Sequence, residues 1–404
     1  LAARRRAADY PVVQPSPDGG DDVTATEIET EPFDPARAEA FGQRMAGVLN
    51  AAGVALMTSV GHRTGLFDAM ARLAPADSHA IARAAGLSER YVREWLGAMV
   101  TGGVVEHDPG AGTFRLPPEH AACLTRAGRP NNAAVGFQFV AVLGAAEDRV
   151  VAAFRHGKGV PYSAYPRFHE VMAEESDQTT TAGLEDHILP LVPGLTDRLA
   201  RGIDVLDVGC GSGYALVRMA GLYPAGRFVG YDVSPEAVRA GRDAACRDGL
   251  RNVRFEVADA ARVADARCFD LVTAFDAVHD QADPAGVLRN VRRALRPGGV
   301  FLMQDIRACS HLPGNRDHPL GPWLYTISCM HCMSVSLAAG GPGLGAVWGK
   351  ELALEMLAAA GFADVTVHAL PHDPLNDYYV CPVCPRRSAG ERRAVRPTVV
   401  NTTV

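Results

Sequence analysis

An apolar run ends at Asp207, and glycines follow at alternate positions, Gly209, Gly211 and Gly213, in the stretch DVLDVGCGSGYAL. A glycine-rich loop after a strand lets backbone N–H groups approach a charged ligand at the N-terminus of the next helix. No Gly-Lys-Ser/Thr follows, which excludes a phosphate-binding P-loop, and Tyr214 stands where a dinucleotide fingerprint needs its third glycine. Asp232 ends FVGYD ahead of Val233, where a carboxylate can accept both hydroxyls of a ribose, although NAD would suit the same acid. VADAA then places Ala258, Asp259 and Ala260 at the border of an adenine, and FDAVHD brings Phe275 and Asp276 to the end of a further strand. Cys210 and Tyr214, within the glycine loop, belong to the same expected lining.

His279 follows that strand at the carboxyl edge of the sheet, where ligands lie in open α/β folds. A neutral imidazole near pH 7 suits the removal of a proton from an alcohol or thiol. The plain alternative is that His279 only lines the pocket. Asp280 either orients it or caps the next helix. Asp305, in MQDI, could fix His279 or a polar group of the substrate, or it could be solvated. Downstream, YTISCMHCMSVSLAAGG supplies Tyr325, Cys329, His331 and Cys332. Met330, His331 and Met333 could wall a pocket for a sulfur compound, because thioethers pack well on soft side chains. Equally, they could fill a buried amphipathic helix. The pairs Cys329/Cys332 and Cys381/Cys384 have the spacing of a zinc site, but the second pair lies in an irregular tail, and no metal is expected.

These residues need a frame. From Gly202 strands and helices alternate, which implies an α/β domain with a parallel sheet covered on both faces. The expected strands are DVLDVG, FVGYDV, VRFEVADA, FDLVTAFDAV, VFLMQDI, ADVTVHAL and DYYV. The last two are separated only by PHDP and its neighbours, too few residues for a crossover helix, so they form an antiparallel hairpin. Upstream, a helix ending at Gly86, a second helix capped by Ser88, and two short strands around PGAG read as a winged helix-turn-helix. Its second helix alternates Glu89, Arg90, Arg93 and Glu94, which is not a phosphate-seeking face. Residues 121–201 read as helices that bridge the two modules and roof the site, with Tyr165 and His169 facing the substrate.

The set D-x-G-x-G-x-G, Asp232, VADAA, FDAVHD and LRPGG, in that order, resembles the class I S-adenosylmethionine-dependent methyltransferases, over Gly202 to about Val380. The resemblance implies a Rossmann-like seven-stranded methyltransferase sheet with an antiparallel C-terminal hairpin, and S-adenosyl-L-methionine as cofactor. A winged helix ahead of that sheet is similar to the small-molecule O-methyltransferases of plants and of bacterial secondary metabolism, where the module dimerises. LSERYVREWL, FDAVHDQ, PGGVFLMQDI and MHCMSVSLAAGG resemble still more a mycobacterial and nematode group, over roughly Phe33 to Val380. Nematode members are linked to methylation of small thiols. The plant enzymes imply a base role for His279, which matches their HDW histidine.

The expected function is therefore methyl transfer to a sulfur or oxygen nucleophile of a small molecule. A phenol or hydroxy-acid O-methyltransferase is the near alternative, and a winged-helix regulator that senses the cofactor is the distant one. The expected organisation is a disordered tail over 1–32, a winged-helix dimerisation domain over 33–125, bridging helices over 126–200, the catalytic domain over 201–380, and a tail over 381–404. A net charge of −6 argues against a general nucleic-acid binder. No unbroken run of eighteen apolar residues exists, so no membrane span is expected. Nine scattered cysteines read mostly as buried thiols in a reducing, cytoplasmic setting. The Arg-rich LAARRRAADY, which begins at Leu1, could be the remnant of an organelle-targeting sequence, although the acidic DGGDD that follows is unlike one. The apolar helix MAGVLNAAGVALMTSV is expected to pair between two copies of the chain.

Overall fold

Two short strands, β1 (Glu106–Asp108) and β2 (Thr113–Arg115), pair antiparallel, and seven more build one sheet in this computed structural model. The structure describes residues 32–130 and 132–384, so the expected N-terminal tail, apart from Pro32, and most of the C-terminal one lie outside the described residues. The seven strands are β3 (Asp204–Val208), β4 (Arg227–Asp232), β5 (Val253–Val257), β6 (Phe269–Phe275), β7 (Leu295–Ile306), β8 (Thr366–Leu370) and β9 (Asp373–Pro382). Their order across the sheet is β5-β4-β3-β6-β7-β9-β8. The first five are parallel, and β9 runs antiparallel to both β7 and β8, as the short final connection requires.

Alternation within each strand sends side chains to opposite faces. Leu206, Val272, Phe301 and Tyr379 fill the core on one face, while Val205, Leu271, Leu302 and Tyr378 fill the core on the other. β7 begins at Leu295, before the expected Val300, because Leu295 also pairs with Phe269 across an irregularity in the register. β9 passes the expected boundary at 380, since Cys381 pairs with Phe301 and Pro382 with Val300. The order reverses between β3, flanked by β4, and β6, so a crevice opens at the carboxyl ends of β3 and β6.

By packing, the chain separates into two units, residues up to Leu49 and residues from Asn50 onward. The helix Pro35–Thr64 contributes to both. It exposes Phe41, Met45, Val48, Leu49, Leu56 and Val60, with Leu49 74% accessible. By length and composition this helix is long and apolar enough to cross a membrane, although it contains no unbroken run of eighteen apolar residues. Arg44 and Asn50 break the apolar run, but the Ala, Val, Leu and Met around them keep the average high. A single helix of this kind is weak evidence for a membrane, since apolar helices of water-soluble proteins meet the same measure.

In the winged-helix module, Phe67, Ile81, Val92, Trp95, Leu96 and Met99 form the core. The helix Ser78–Ala85 is capped by Asp77, whose carboxylate accepts the Ala80 N–H at 2.7 Å. Ser88 precedes the helix Glu89–Thr101 without a capping hydrogen bond from its side chain, contrary to expectation; Ser78 Oγ donates to Glu89 instead. Arg93 pairs with Glu89 at 2.6 Å and Arg90 with Glu94, one turn away on the same helix, which neutralises that face. Between module and sheet, the helices Gln138–Gly144, Glu147–His156 and Phe168–Ser176 form a separate core with Val335. His62 Nε2 and Glu174 Oε1, 2.8 Å apart, tie the end of the first helix to this layer.

Candidate active site

The glycine loop owes its path to left-handed backbone at Gly209 (φ 68°), Gly211 (φ 52°) and Gly213 (φ 74°). A Cβ at Gly213 would lie 2.3 Å from the Phe255 ring, and one at Gly209 would lie 2.4 Å from Ala277 Cβ. At Gly211 it would meet nothing within 4 Å, so the middle of the loop stays open. Asp232, at the end of β4, accepts the Gly211 N–H at 2.9 Å on one carboxylate oxygen and the Ser234 N–H at 2.8 Å on the other. A carboxylate has about four acceptor sites, so capacity remains for two ribose hydroxyls.

A cavity of about 1110 Å³ opens here. Of the residues expected to hold the cofactor, Asp207, Gly209, Cys210, Gly211, Gly213 and Tyr214 line it. So do Asp232, Val233, Asp259, Phe275 and Asp276. Ala258 and Ala260 do not: the Ala258 N–H is bonded to Asp232 O at 2.9 Å, and Ala260 turns into the core. Of the expected substrate residues, Tyr165 and His169 line the cavity, together with Tyr162, Phe168 and Met172. Tyr325, His331 and Met333 do not. Tyr325 accepts a hydrogen bond from Asn315 at 3.1 Å beside another, smaller cavity, and Met333 packs under Gly343 and Gly345. His331 stands behind the wall, stacked 3.5 Å from the Phe168 ring and edge-on to Tyr162 and Tyr165.

Burial raises the carboxylates. It pushes Asp207 to about 7 against the hydrogen bond from Thr273. It pushes Asp280 to about 7 and Asp276 to about 6, with nearby His279 opposing in both. Asp276 also holds a left-handed backbone (φ 53°), uncommon outside glycine, and its Oδ1 has no hydrogen-bond partner. Such strain costs roughly 1–3 kcal/mol and collects at functional sites.

His279 and Asp305 are buried just outside the cavity lining. His279 Nδ1 lies 2.9 Å from Asp305 Oδ1, which also accepts from Trp348 Nε1 at 3.0 Å and Ile306 N at 2.8 Å. Burial alone would lower His279, but the adjoining Asp305 carboxylate outweighs it and holds the ring protonated well above the usual imidazole range. The expectation of a neutral ring at pH 7 is thereby corrected. Asp276, His279 and Asp305 bring potential ligand atoms within 4.8 Å of one another, a spacing that a protonated imidazole between two acids itself explains. Cys381 is buried in β9 and Cys384 is exposed beside Asp364; of the nine cysteines only Cys332 and Cys381 are buried, which corrects the expectation that most of them are. Trp348, Tyr162 and Phe168 escape the sequence reading because GAVWGK and VPYSAYPRF carry no apolar period.

Residues 52–126 match the Rv2258c-like winged HTH domain, and residues 199–361 match a methyltransferase domain. The chain therefore carries a winged-helix module followed by a methyltransferase domain, and it is similar to S-adenosylmethionine-dependent methyltransferases. S-adenosylmethionine is the cofactor of these enzymes, and the residues present fit it: an open glycine loop, Asp232 with spare acceptor capacity, and the carboxylates of Asp207 and Asp276 in the cavity lining. Curated relatives include the 27-O-demethylrifamycin SV methyltransferase of Amycolatopsis mediterranei, 37% identical over 28% of this chain and 43% of that one. Another is the trans-aconitate 2-methyltransferase of Azoarcus sp., 34% identical over 30% of this chain and 46% of that one. The matches thus span about half the length of these methyltransferases. Human N-acetylserotonin methyltransferase, solved with its cofactor, shares the fold at a TM-score of 0.63 and 17% identity, over 88% of this chain and 99% of that one.

Proposed function

We propose that this methyltransferase moves the methyl group of S-adenosylmethionine to an oxygen nucleophile of a small molecule. The observation that carries the reading is one continuous cavity, which runs from the glycine loop and Asp232 to a wall of Tyr162, Tyr165 and Phe168. When bound, the cofactor supplies a methyl group already activated by its sulfonium. The chain's share is to align the acceptor, exclude water and take a proton. Gly209, Gly211 and Gly213 would admit the methionine half, Asp232 would hold the ribose, and Asp259 would border the adenine. The aromatic wall orients the acceptor. His279, held by Asp305, would take the acceptor's proton once its ring is neutral.

A sulfur acceptor is the second reading, and Met172 in the cavity wall favours it. Met333, expected to serve that purpose, packs elsewhere, which moves the balance toward oxygen. The 27-O-demethylrifamycin SV methyltransferase carries an oxygen position in its name, which supports the oxygen reading. We also place two copies of the chain together through the exposed apolar face of Pro35–Thr64. Mass spectrometry of products after incubation with S-adenosylmethionine and a panel of phenols and thiols tests the reading. A methylated phenol supports it, and a panel in which only thiols gain 14 mass units overturns the oxygen assignment.

A further inference from the structure

We propose that the acceptor carries a basic nitrogen, protonated at neutral pH, recognised by Asp280 and Asp276 together with the faces of Tyr162 and Phe168. The inference rests on the methyl-transfer reading above and names its substrate class.

An aromatic ring carries negative charge on its faces, and one face each of Tyr162 and Phe168 is covered, by His169 at 4.4 Å and by His331 at 3.5 Å, so a cation can meet only the other. Tyr162 stacks on His169 at 4.4 Å and 14°, and meets Phe168 edge-on at 5.4 Å. The two imidazoles near this wall are no source of positive charge, because burial holds both His169 and His331 below the usual imidazole range.

Carboxylates face the same space. Asp276 and Asp280 line the cavity, and their charges are felt at the Tyr162 hydroxyl. Asp276 Oδ1 has no hydrogen-bond donor and shares the His279 imidazolium, 3.7 Å away, with Asp305, while Asp280 has a single long contact, 3.4 Å from Gln281 Nε2. S-adenosylmethionine brings an ammonium, a sulfonium and a carboxylate, a net single positive charge. Asp207 is available to the ammonium and Asp232 to the ribose, and the single imidazolium of His279 is shared by Asp276 and Asp305, which leaves the set Asp276, Asp280 and Asp305 with more negative than positive charge.

The lining cations are spent or placed elsewhere. Arg167 is held by Glu170 at 3.0 Å and by Gln138 at 3.0 Å. Arg262 pairs with Asp259 at 3.1 Å, and Arg239 follows Asp232 on the helix Pro235–Arg247, so both belong to the adenosine half. Among the described residues that line the acceptor half, no unpaired cation stands ready for a carboxylate. An acceptor with a carboxylate would leave three like charges in one buried space, a repulsion that low dielectric magnifies.

The test uses the full chain loaded with S-adenosylhomocysteine and three phenols alike in ring and hydroxyl: tyramine, 4-ethylphenol and 3-(4-hydroxyphenyl)propionate. Calorimetry is expected to give tyramine at least tenfold tighter binding than 4-ethylphenol, with the carboxylate weakest. Asp280→Asn is expected to narrow the ratio between the amine and the neutral phenol while the neutral phenol still binds, a readout that general unfolding would not produce. Carboxylate binding as tight as the amine, an unchanged ratio in Asp280→Asn, or no binding by any of the three overturns the proposal. Tight tyramine binding without methylation when S-adenosylmethionine replaces the product supports the charge preference and counts against methyl transfer to this acceptor.

Discussion

His279 Nδ1 and Asp305 Oδ1 lie 2.9 Å apart inside the protein, and Trp348 locks the same carboxylate oxygen from the other side. The arrangement fixes the ring's orientation and raises its proton affinity. Only the neutral ring accepts a proton, so the single-turnover rate is expected to climb with pH through an ionisation above the ordinary imidazole value of about 6.5. His279→Ala is expected to slow the methyl-transfer step roughly 10²–10⁴-fold. The same variant leaves Asp305 buried without its partner, a loss of about 3–5 kcal/mol that chemical denaturation would record. The sign for stability is opposite to that for rate. A raised imidazole stabilises the fold fully below about 6.5, and the contribution fades as pH rises through the folded-state value. A rate that is flat across that ionisation would remove His279 from the proton transfer.

Cofactor binding is expected to release protons. Asp207 and Asp280, at about 7, and Asp276, at about 6, are partly protonated in the free protein near neutrality. A cationic ligand favours their ionised forms, so the complex holds fewer protons and affinity rises with pH until about 7. Calorimetry in buffers of different ionisation enthalpy reads this release directly. S-adenosylhomocysteine, which lacks the sulfonium, should release less, and proton uptake would contradict the account.

The glycines differ in what they tolerate. Gly213→Ala combines a left-handed backbone with a Cβ 2.3 Å from the buried Phe255 ring, and is expected to cost roughly 2–5 kcal/mol from strain and overpacking. Gly211→Ala meets open space and carries only the backbone cost of about 1–2 kcal/mol. Denaturation midpoints should therefore fall further for Gly213→Ala. Equal losses would show that the Phe255 contact is not what demands glycine there.

Light scattering at micromolar concentration is expected to give the mass of a dimer, since Phe41, Met45, Val48 and Leu49 form an exposed apolar stretch. Leu49→Glu should shift the population toward the monomer. A monomeric wild-type chain would leave that face without its proposed partner.

What the sequence made legible was local. Gly209, Gly211, Gly213 and Asp232 were readable because backbone demands fix residue type at each position, whatever the distant packing does. The final hairpin followed from the shortness of its connection. Distant packing hid the rest. Tyr162 and Phe168 reach the cavity only because the bridging helices lie against the segment around Val335. Trp348 finds Asp305 across 43 residues. Ala258 and Ala260 flank Asp259 in the sequence, yet beyond the end of β5 the Ala258 N–H is held by Asp232 O and Ala260 packs in the core, so Asp259 alone lines the cavity. The electrostatics of His279 depended on the depth of its burial beside Asp305, and residue type alone does not state that.

The central claim is that this cavity holds S-adenosylmethionine with its ribose on Asp232, and calorimetry on wild type and Asp232→Ala tests it most directly. The variant loses charge-assisted hydrogen bonds worth about 1.5–3 kcal/mol, so its affinity should fall roughly 10- to 150-fold. Asp232→Asn, which keeps an acceptor for the Gly211 N–H, separates loss of the loop's support from loss of the ribose contact and should fall between the two. Saturable binding to the wild type with that order of affinities is the predicted result; equal affinity in wild type and Asp232→Ala, or no binding to the wild type, would contradict it.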